Sequence, residues 1–219
     1  GLEHIPDAGG AVIAINHTAY VDFLPAGLAA THRRRRVRFM LKAEVQQVPM
    51  GNFLVKRAGL IPVDRSSGGD AYPVAVERLR AGELVGVYPE ATISRSFELK
   101  EFKTGVARMA LDAQVPIIPV IVWGVHRMWT KDHPKRLGRK KIPVIVRVGA
   151  PIAANGPVAQ VMAMLQQTMT DQLHAVQEEY PHPPGEYWVP RRLGGGAPTP
   201  EEAEVLEKAE RARRAAEGR

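Results

Sequence analysis

"AVIAINHTAYVDF" spans residues 11–23. Its first five residues are apolar without alternation, the pattern of a strand buried on both faces. The run stops at Asn16-His17, and Asp22 follows five residues after the histidine. On a continuous helix, residues five apart sit about 140° apart around the axis and do not meet. A contact between His17 and Asp22 therefore requires His17 to lie in the turn ahead of a helix, with Asp22 reaching back; Thr18 is then the candidate N-cap. So arranged, the carboxylate takes one ring N–H, fixes the tautomer and leaves the other nitrogen as a proton acceptor. The helix N-terminus is expected to keep Asp22 ionised. The competing reading is a capping histidine beside a surface aspartate.

Five further apolar or β-branched runs read as strands, at 37–41, 60–63, 84–88, 117–123 and 143–148. Helix-like segments fill most gaps between them, at roughly 18–30, 43–56, 70–81 and 103–113. This alternation predicts an α/β fold: a largely parallel central sheet with helices on both faces. Val158, Val161, Met162, Leu165, Met169, Leu173 and Val176 recur every three or four positions, the mark of a long amphipathic helix. After Tyr180 the chain turns rich in Pro and Gly, which predicts an extended strap or linker. "TPEEAEVLEKAERARRAAEGR" then opens with Thr199 as N-cap, Pro200 at the first helical position and Glu202 completing a capping box. The expected division is a domain over 1–190 and a linker with a charged C-terminal helix over 191–219. With a thin apolar face (Val205, Leu206, Ala209), that helix reads as a solvated appendage or as a partner-binding element.

The 219 residues are 45% hydrophobic and 24% charged, ordinary for a domain with a substantial core. A net charge of +7 favours an anionic partner, whether nucleic acid, an acidic membrane face or a phosphorylated molecule. The absence of cysteine excludes disulfides, a thiolate nucleophile and cysteine–zinc sites. The histidines are scattered, with no HExxH and no carboxylate-rich loop, so no metal is implied. No stretch reads as a signal peptide. The longest apolar run, "VPIIPVIVWGV" (115–125), is too short to span a bilayer, so these residues are expected to meet a membrane only peripherally. Two basic stretches, "THRRRRVRF" (31–39) and "HRMWTKDHPKRLGRKK" (126–141), suit an anionic lipid surface, with Trp129 at its interface, or a solvated charged face. No RNP-type aromatic pair, KH loop or zinc-finger spacing supports the nucleic-acid alternative.

Polar residues fall at equivalent places along the chain. His17 follows the first strand, Asp64-Arg65 the third and Pro89-Glu90-Ala91-Thr92 the fourth. Ligands of open parallel sheets bind beyond the carboxyl ends of strands, so these clusters are expected to converge on one cleft. Arg65 offers a planar fork suited to phosphate. Glu90 reads as a cap or a hydroxyl acceptor, and Lys103 places a cation near it in sequence.

In their order, "NHTAYVD" (16–22), "GLIPVDR" (59–65), "YPEATIS" (88–94) and "VPIIPV" (115–120) resemble the four successive blocks of the glycerolipid acyltransferase family, which includes the 1-acyl-glycerol-3-phosphate acyltransferases. "KAEVQQVPMGNFLVKRAG" (42–59) and "FKTGVARMALDAQ" (102–114) resemble it too, so similarity covers about residues 1–150. The resemblance implies transfer of an acyl chain from acyl-CoA or acyl carrier protein to a glycerol hydroxyl, with no cofactor. By position, His17 would be the base, Asp22 its partner, Arg65 the acceptor-phosphate ligand, and Glu90 and Thr92 part of the acceptor site. The 115–120 block would support the donor pocket. Three positions depart from the pattern: Ala19 where serine is common, Ala91 for the usual glycine and Ile93 for the usual arginine. Losing that arginine leaves Arg95 and Lys103 as substitute phosphate ligands, or points to a less charged acceptor.

The function expected is therefore conversion of lysophosphatidate to phosphatidate in phospholipid synthesis, by an enzyme held peripherally on the cytoplasmic face of a membrane. The alternatives are another glycerolipid or lysophospholipid acceptor, or a non-enzymatic basic module that binds lipid or nucleic acid.

Overall fold

The computed structural model describes residues 1–42, 61–63, 71–136, 138 and 141–216. Six strands form one sheet: β1 (Ala11–Ile15), β2 (Val37–Lys42), β3 (Ile61–Val63), β4 (Leu84–Val87), β5 (Ile117–Trp123) and β6 (Ile145–Val148). Their order is β3-β2-β4-β1-β5-β6, parallel throughout except for the antiparallel β5–β6 pair at one edge. The helices are α1 (Phe23–Thr31), α2 (Ala71–Arg80), α3 (Gly105–Ala113), α4 (Val158–Glu179) and α5 (Pro200–Ala216). The predicted α/β fold is thus the observed one. The predicted helix at 43–56 lies outside the described residues.

β1 is central and wholly buried, as its unbroken apolar run requires. Its side chains alternate between two cores. Val12 and Ala14 join Val85, Ile121 and Trp123 beneath Leu79 of α2, Val106 and Ala110 of α3, and Leu165, Met169 and Leu173 of α4. Ala11, Ile13 and Ile15 face the other way, with Ile118, Val120, Phe39 and the small residues Ala26, Ala29 and Ala30 of α1. Gly86 has no room for a side chain: a Cβ there would come within 2.7 Å of both Phe39 and Val37 on the neighbouring β2.

Two expectations are corrected. The first helix begins at Phe23 rather than 18, and Thr18 caps nothing; residues 18–22 form a turn whose amides are held by Asp22. The strap after Tyr180 is not extended but a series of turns with a 3-10 helix (Arg191–Leu193), and it is packed, with Trp188, Val189 and Ala197 buried in the larger core. The capping box of α5 forms in both directions, Glu202 N donating to Thr199 Oγ1 (3.2 Å) and Thr199 N to Glu202 Oε2 (2.9 Å).

β4, β1 and β5 are neighbours, so the loops leaving their carboxyl ends meet at one side of the sheet. Asn16 ties two of these ends together. It is fully buried, its Nδ2 donates to Val122 O (3.1 Å), and its Oδ1 accepts from Val122 N (2.7 Å). The side chain thereby continues the β1–β5 ladder one residue past the strand. Asn16→Ala strands both backbone groups of Val122 and should destabilise the protein by about 2–3 kcal/mol, the cost of a buried donor and acceptor left unpaired. Denaturant unfolding of the variant measures it.

Candidate active site

His17 and Asp22 meet by means of a turn. Asp22 stands at the N-cap position of α1, yet its carboxylate makes no capping bond and points backwards. Its Oδ2 accepts from Ala19 N (2.7 Å), Thr18 N (2.8 Å) and His17 Nδ1 (3.2 Å). The five-residue spacing is thus the length of chain that lets one carboxylate gather two amides and still reach the imidazole. With the carboxylate accepting, Nδ1 carries the proton, and Nε2 has no partner among the described residues.

Asp22 has no exposed surface, and burial pushes its carboxyl above the usual range against the pull of His17, Ala19 and Thr18. The expectation that the helix terminus alone settles its charge is corrected, because desolvation is the largest influence here. Ala19 turns its methyl into the smaller core, where a serine hydroxyl would need a partner.

The loop after β4 closes on the same histidine. Tyr88 stacks on the imidazole with centroids 4.0 Å apart and planes 18° apart. Glu90 is buried and binds backbone, accepting from His17 N through Oε1 (2.7 Å) and from Lys100 N through Oε2 (3.2 Å). Ser94 N donates to His17 O (2.8 Å), so both main-chain polar groups of His17 are held by this loop. From the loop after β5, Thr130 Oγ1 donates to Thr18 O (2.7 Å), and Trp129 O accepts from Tyr20 N (3.1 Å).

Ala91, at the usual glycine position, has φ +60°, a left-handed conformation that costs an L residue about 1–2 kcal/mol. Ile93, at the usual arginine position, is buried. Thr92 Oγ1 accepts from Lys100 Nζ. Arg95 is almost wholly buried, with Nε on Asp132 (2.5 Å) and Nη2 on Glu210 (2.8 Å). Lys103 is exposed, its backbone N–H bound to Pro89 O (2.9 Å). Arg65 lies outside the described residues.

His17, Asp22, Glu90, Thr92 and Arg95 therefore belong to one neighbourhood, with Glu90 placed as a backbone brace. Sequence reasoning missed Tyr88, Lys100 and Lys131. Tyr88 opens the "YPEATIS" block and could have been marked; the lysines carry no local signal, since exposed lysines are common. No group of three metal-ligating side chains occurs among the described residues.

Burial pushes the Glu90 carboxyl from its ordinary value near 4.5 up to about 8, opposed by the His17 and Lys100 amides and the Lys100 ammonium. The unfolded glutamate ionises at its ordinary value while the folded one still holds its proton. Its stabilising contribution is therefore fully present below pH 4.5 and is lost as pH rises to about 8. Glu90→Gln should remove this loss, so that the unfolding free energy changes more favourably from pH 5 to pH 8 in the variant than in the wild type, as denaturant unfolding at the two pH values measures.

The acyltransferase family profile matches residues 1–123, more than half of the chain. The chain is 31% identical over 124 residues to a 1-acyl-sn-glycerol-3-phosphate acyltransferase of Bacillus subtilis, covering 56% of this chain and 60% of that protein. It is 28% identical over 140 residues to the enzyme of that name in Borreliella burgdorferi, covering 60% and 53%. Against the mouse alpha form it is 29% identical over 160 residues, covering 71% and 54%. It thus spans about half to three-fifths of the length of these relatives. The crystal structure of the acyltransferase PlsC from Thermotoga maritima shares the fold, with a TM-score of 0.70 at 20% identity, covering 83% of this chain and 72% of that one. By sequence match across its first five strands, the chain belongs to the acyltransferase family.

Proposed function

We propose that this protein transfers a fatty acyl chain from a thioester donor, acyl-CoA or acyl carrier protein, to the free glycerol hydroxyl of lysophosphatidate, giving phosphatidate. The observation that carries this reading is the His17 Nδ1–Asp22 bond within a turn locked by Glu90, Ser94 and Thr130. A positioned imidazole with a fixed tautomer is what activation of a hydroxyl needs.

The acceptor hydroxyl gives its proton to His17 Nε2 as its oxygen attacks the thioester carbonyl carbon. The tetrahedral intermediate collapses, the C–S bond breaks, and the departing thiolate takes the proton back from the imidazolium. Asp22 stabilises that imidazolium, and Tyr88 holds the ring plane. Base catalysis of this kind contributes about 10²–10⁴ in rate. Similarity to lysophosphatidate acyltransferases supports the acceptor, and Arg65 and Arg95 are its proposed phosphate ligands.

Substrates of this kind lie in a bilayer, and we assign the protein to the cytoplasmic surface of a membrane. No helix among the described residues is long and apolar enough to cross one. Leu24 and Leu28 on α1 are 58% and 61% exposed, four and eight residues after Tyr20, which itself contacts Trp129. The arginine stretch is a weaker contact. Arg33 pairs with Asp7, Arg35 donates to Pro6 O, Gly9 O and Gly82 O, and Arg38 pairs with Glu83, all near the amino ends of β1, β2 and β4, away from His17.

A second acceptor class, another lysophospholipid or an uncharged glyceride, is favoured by one observation: the usual arginine is the buried Ile93. The deciding experiment follows coenzyme A release from acyl-CoA with lysophosphatidate, other lysophospholipids and monoacylglycerol. Lysophosphatidate is expected to turn over fastest, and His17→Ala to abolish turnover with an unchanged circular dichroism spectrum. No release with any acceptor, or persistent turnover in the variant, contradicts the proposal. Arg65→Ala should raise the KM for lysophosphatidate more than that for acyl-CoA; the reverse would move Arg65 to the donor site.

A further inference from the structure

The C-terminal helix α5 is held by charge beside the catalytic turn. Glu207 places Oε1 and Oε2 at 2.7 and 2.9 Å from Lys100 Nζ. Glu210 Oε2 lies 2.8 Å from Arg95 Nη2 and 2.8 Å from Lys131 Nζ. The three cations come from segments that also grip His17. Arg95 follows Ser94, which donates to His17 O; Lys100 N donates to Glu90, which accepts from His17 N; Lys131 follows Thr130, which donates to Thr18 O.

Apolar burial adds little to this attachment. Ala203 is its one buried residue, while Val205 and Leu206 are 66% and 46% exposed. A helix that turns Glu207 and Glu210 inward and Val205 and Leu206 outward is docked by ion pairs, and another anion of matching charge competes for the same cations. The site also keeps a donor unused: Arg95 Nη1 is buried without a partner, although the side chain is only 7% exposed.

We propose that Arg95, Lys100 and Lys131 form a phosphate-binding site beside His17, and that α5 is its resting occupant, with Glu207 and Glu210 standing where the phosphomonoester of the acceptor sits. The two carboxylates carry two negative charges, and a phosphomonoester carries about −1.5 to −2 at neutral pH, so the exchange nearly conserves charge. Three phosphate oxygens also offer acceptors for three cations and for Arg95 Nη1. The tail is then a competitive occupant of the acceptor site, displaced by the substrate itself. The identity of the acceptor rests on the function proposed above; the site and its occupant do not.

The test titrates glycerol 3-phosphate, inorganic phosphate and glycerol into the full chain by calorimetry, as wild type and as the Glu207→Gln, Glu210→Gln double variant. The double variant should bind glycerol 3-phosphate at least about 5-fold more tightly, the lower range of a competitive coupling. Lys100→Ala with Lys131→Ala in that background should remove the gain, and glycerol should bind neither protein. An equal gain for inorganic phosphate supports the site and assigns its recognition to the phosphate group alone. Unchanged or weaker binding overturns the proposal.

The chain has no cysteine, so Leu206→Cys carries a single spin label on the wild-type background and guards against a misfolded double variant. Glycerol 3-phosphate should raise the label's mobility and glycerol should not; an unresponsive label overturns the proposal. Tighter binding without acyl transfer in any assay sinks the proposed function and leaves this site standing. Acyl transfer with unchanged phosphate binding does the reverse.

Discussion

Removing Asp22 from water costs free energy, and three N–H donors on one oxygen offset that cost. Two of them, Thr18 N and Ala19 N, are backbone amides, so the carboxylate shapes the chain as well as meeting the imidazole. The turn exists because its amides are satisfied from Asp22, and His17 faces the cleft because the turn exists. The same carboxylate thus decides where α1 starts and which ring nitrogen carries the proton.

The sheet supplies the fixed frame for that turn. β1 lies between β4 and β5, each contributing a loop that bonds to the main chain of residues 17–20. Asn16 stitches the β1 and β5 ends, and the Glu90 carboxyl group spans the His17 and Lys100 amides. The base is therefore fixed through its backbone, its ring edge and its ring face together. Pre-organisation of this kind spares the reaction the entropy of orienting a mobile side chain. The tail helix is held differently, by ion pairs to Arg95, Lys100 and Lys131 over little apolar contact, which suits an element that another anion displaces.

Much of this was legible in the sequence where a local rule applied. The strands at 11–15 and 117–123 were readable to the residue because their apolar runs end abruptly in Asn16 and Gly124. The strand at the β6 edge begins at Ile145, two residues later than its apolar pattern suggested, and Pro143 has no N–H to donate to a ladder. The helix at 18–30 was placed too early because its composition is helical and the tertiary demand of Asp22 on Thr18 and Ala19 is not a propensity. Geometry showed what a His17–Asp22 pair requires and left a capping histidine open; the ordered blocks decided between the two. Glu90 was readable as important but not as a brace, since nothing in "PEAT" says that both oxygens face amides. The link from Lys100 and Arg95 to Glu207 and Glu210 spans more than a hundred residues of surface charge, which no periodicity encodes.

The two duties of Asp22 can be separated by Asp22→Asn. An asparagine oxygen still accepts from Thr18 N and Ala19 N, so the turn and the fold should survive. The same oxygen still accepts from His17 Nδ1, because all three donors meet at Oδ2, so the tautomer is kept and the variant loses the negative charge that stabilises the imidazolium. The most direct test is kcat for lysophosphatidate-dependent coenzyme A release by this variant, measured beside its thermal unfolding midpoint. A fall on the order of 10²–10⁴ in kcat with a midpoint close to wild type is the predicted result. Undiminished turnover in a folded Asp22→Asn protein would contradict the role assigned to the His17–Asp22 pair.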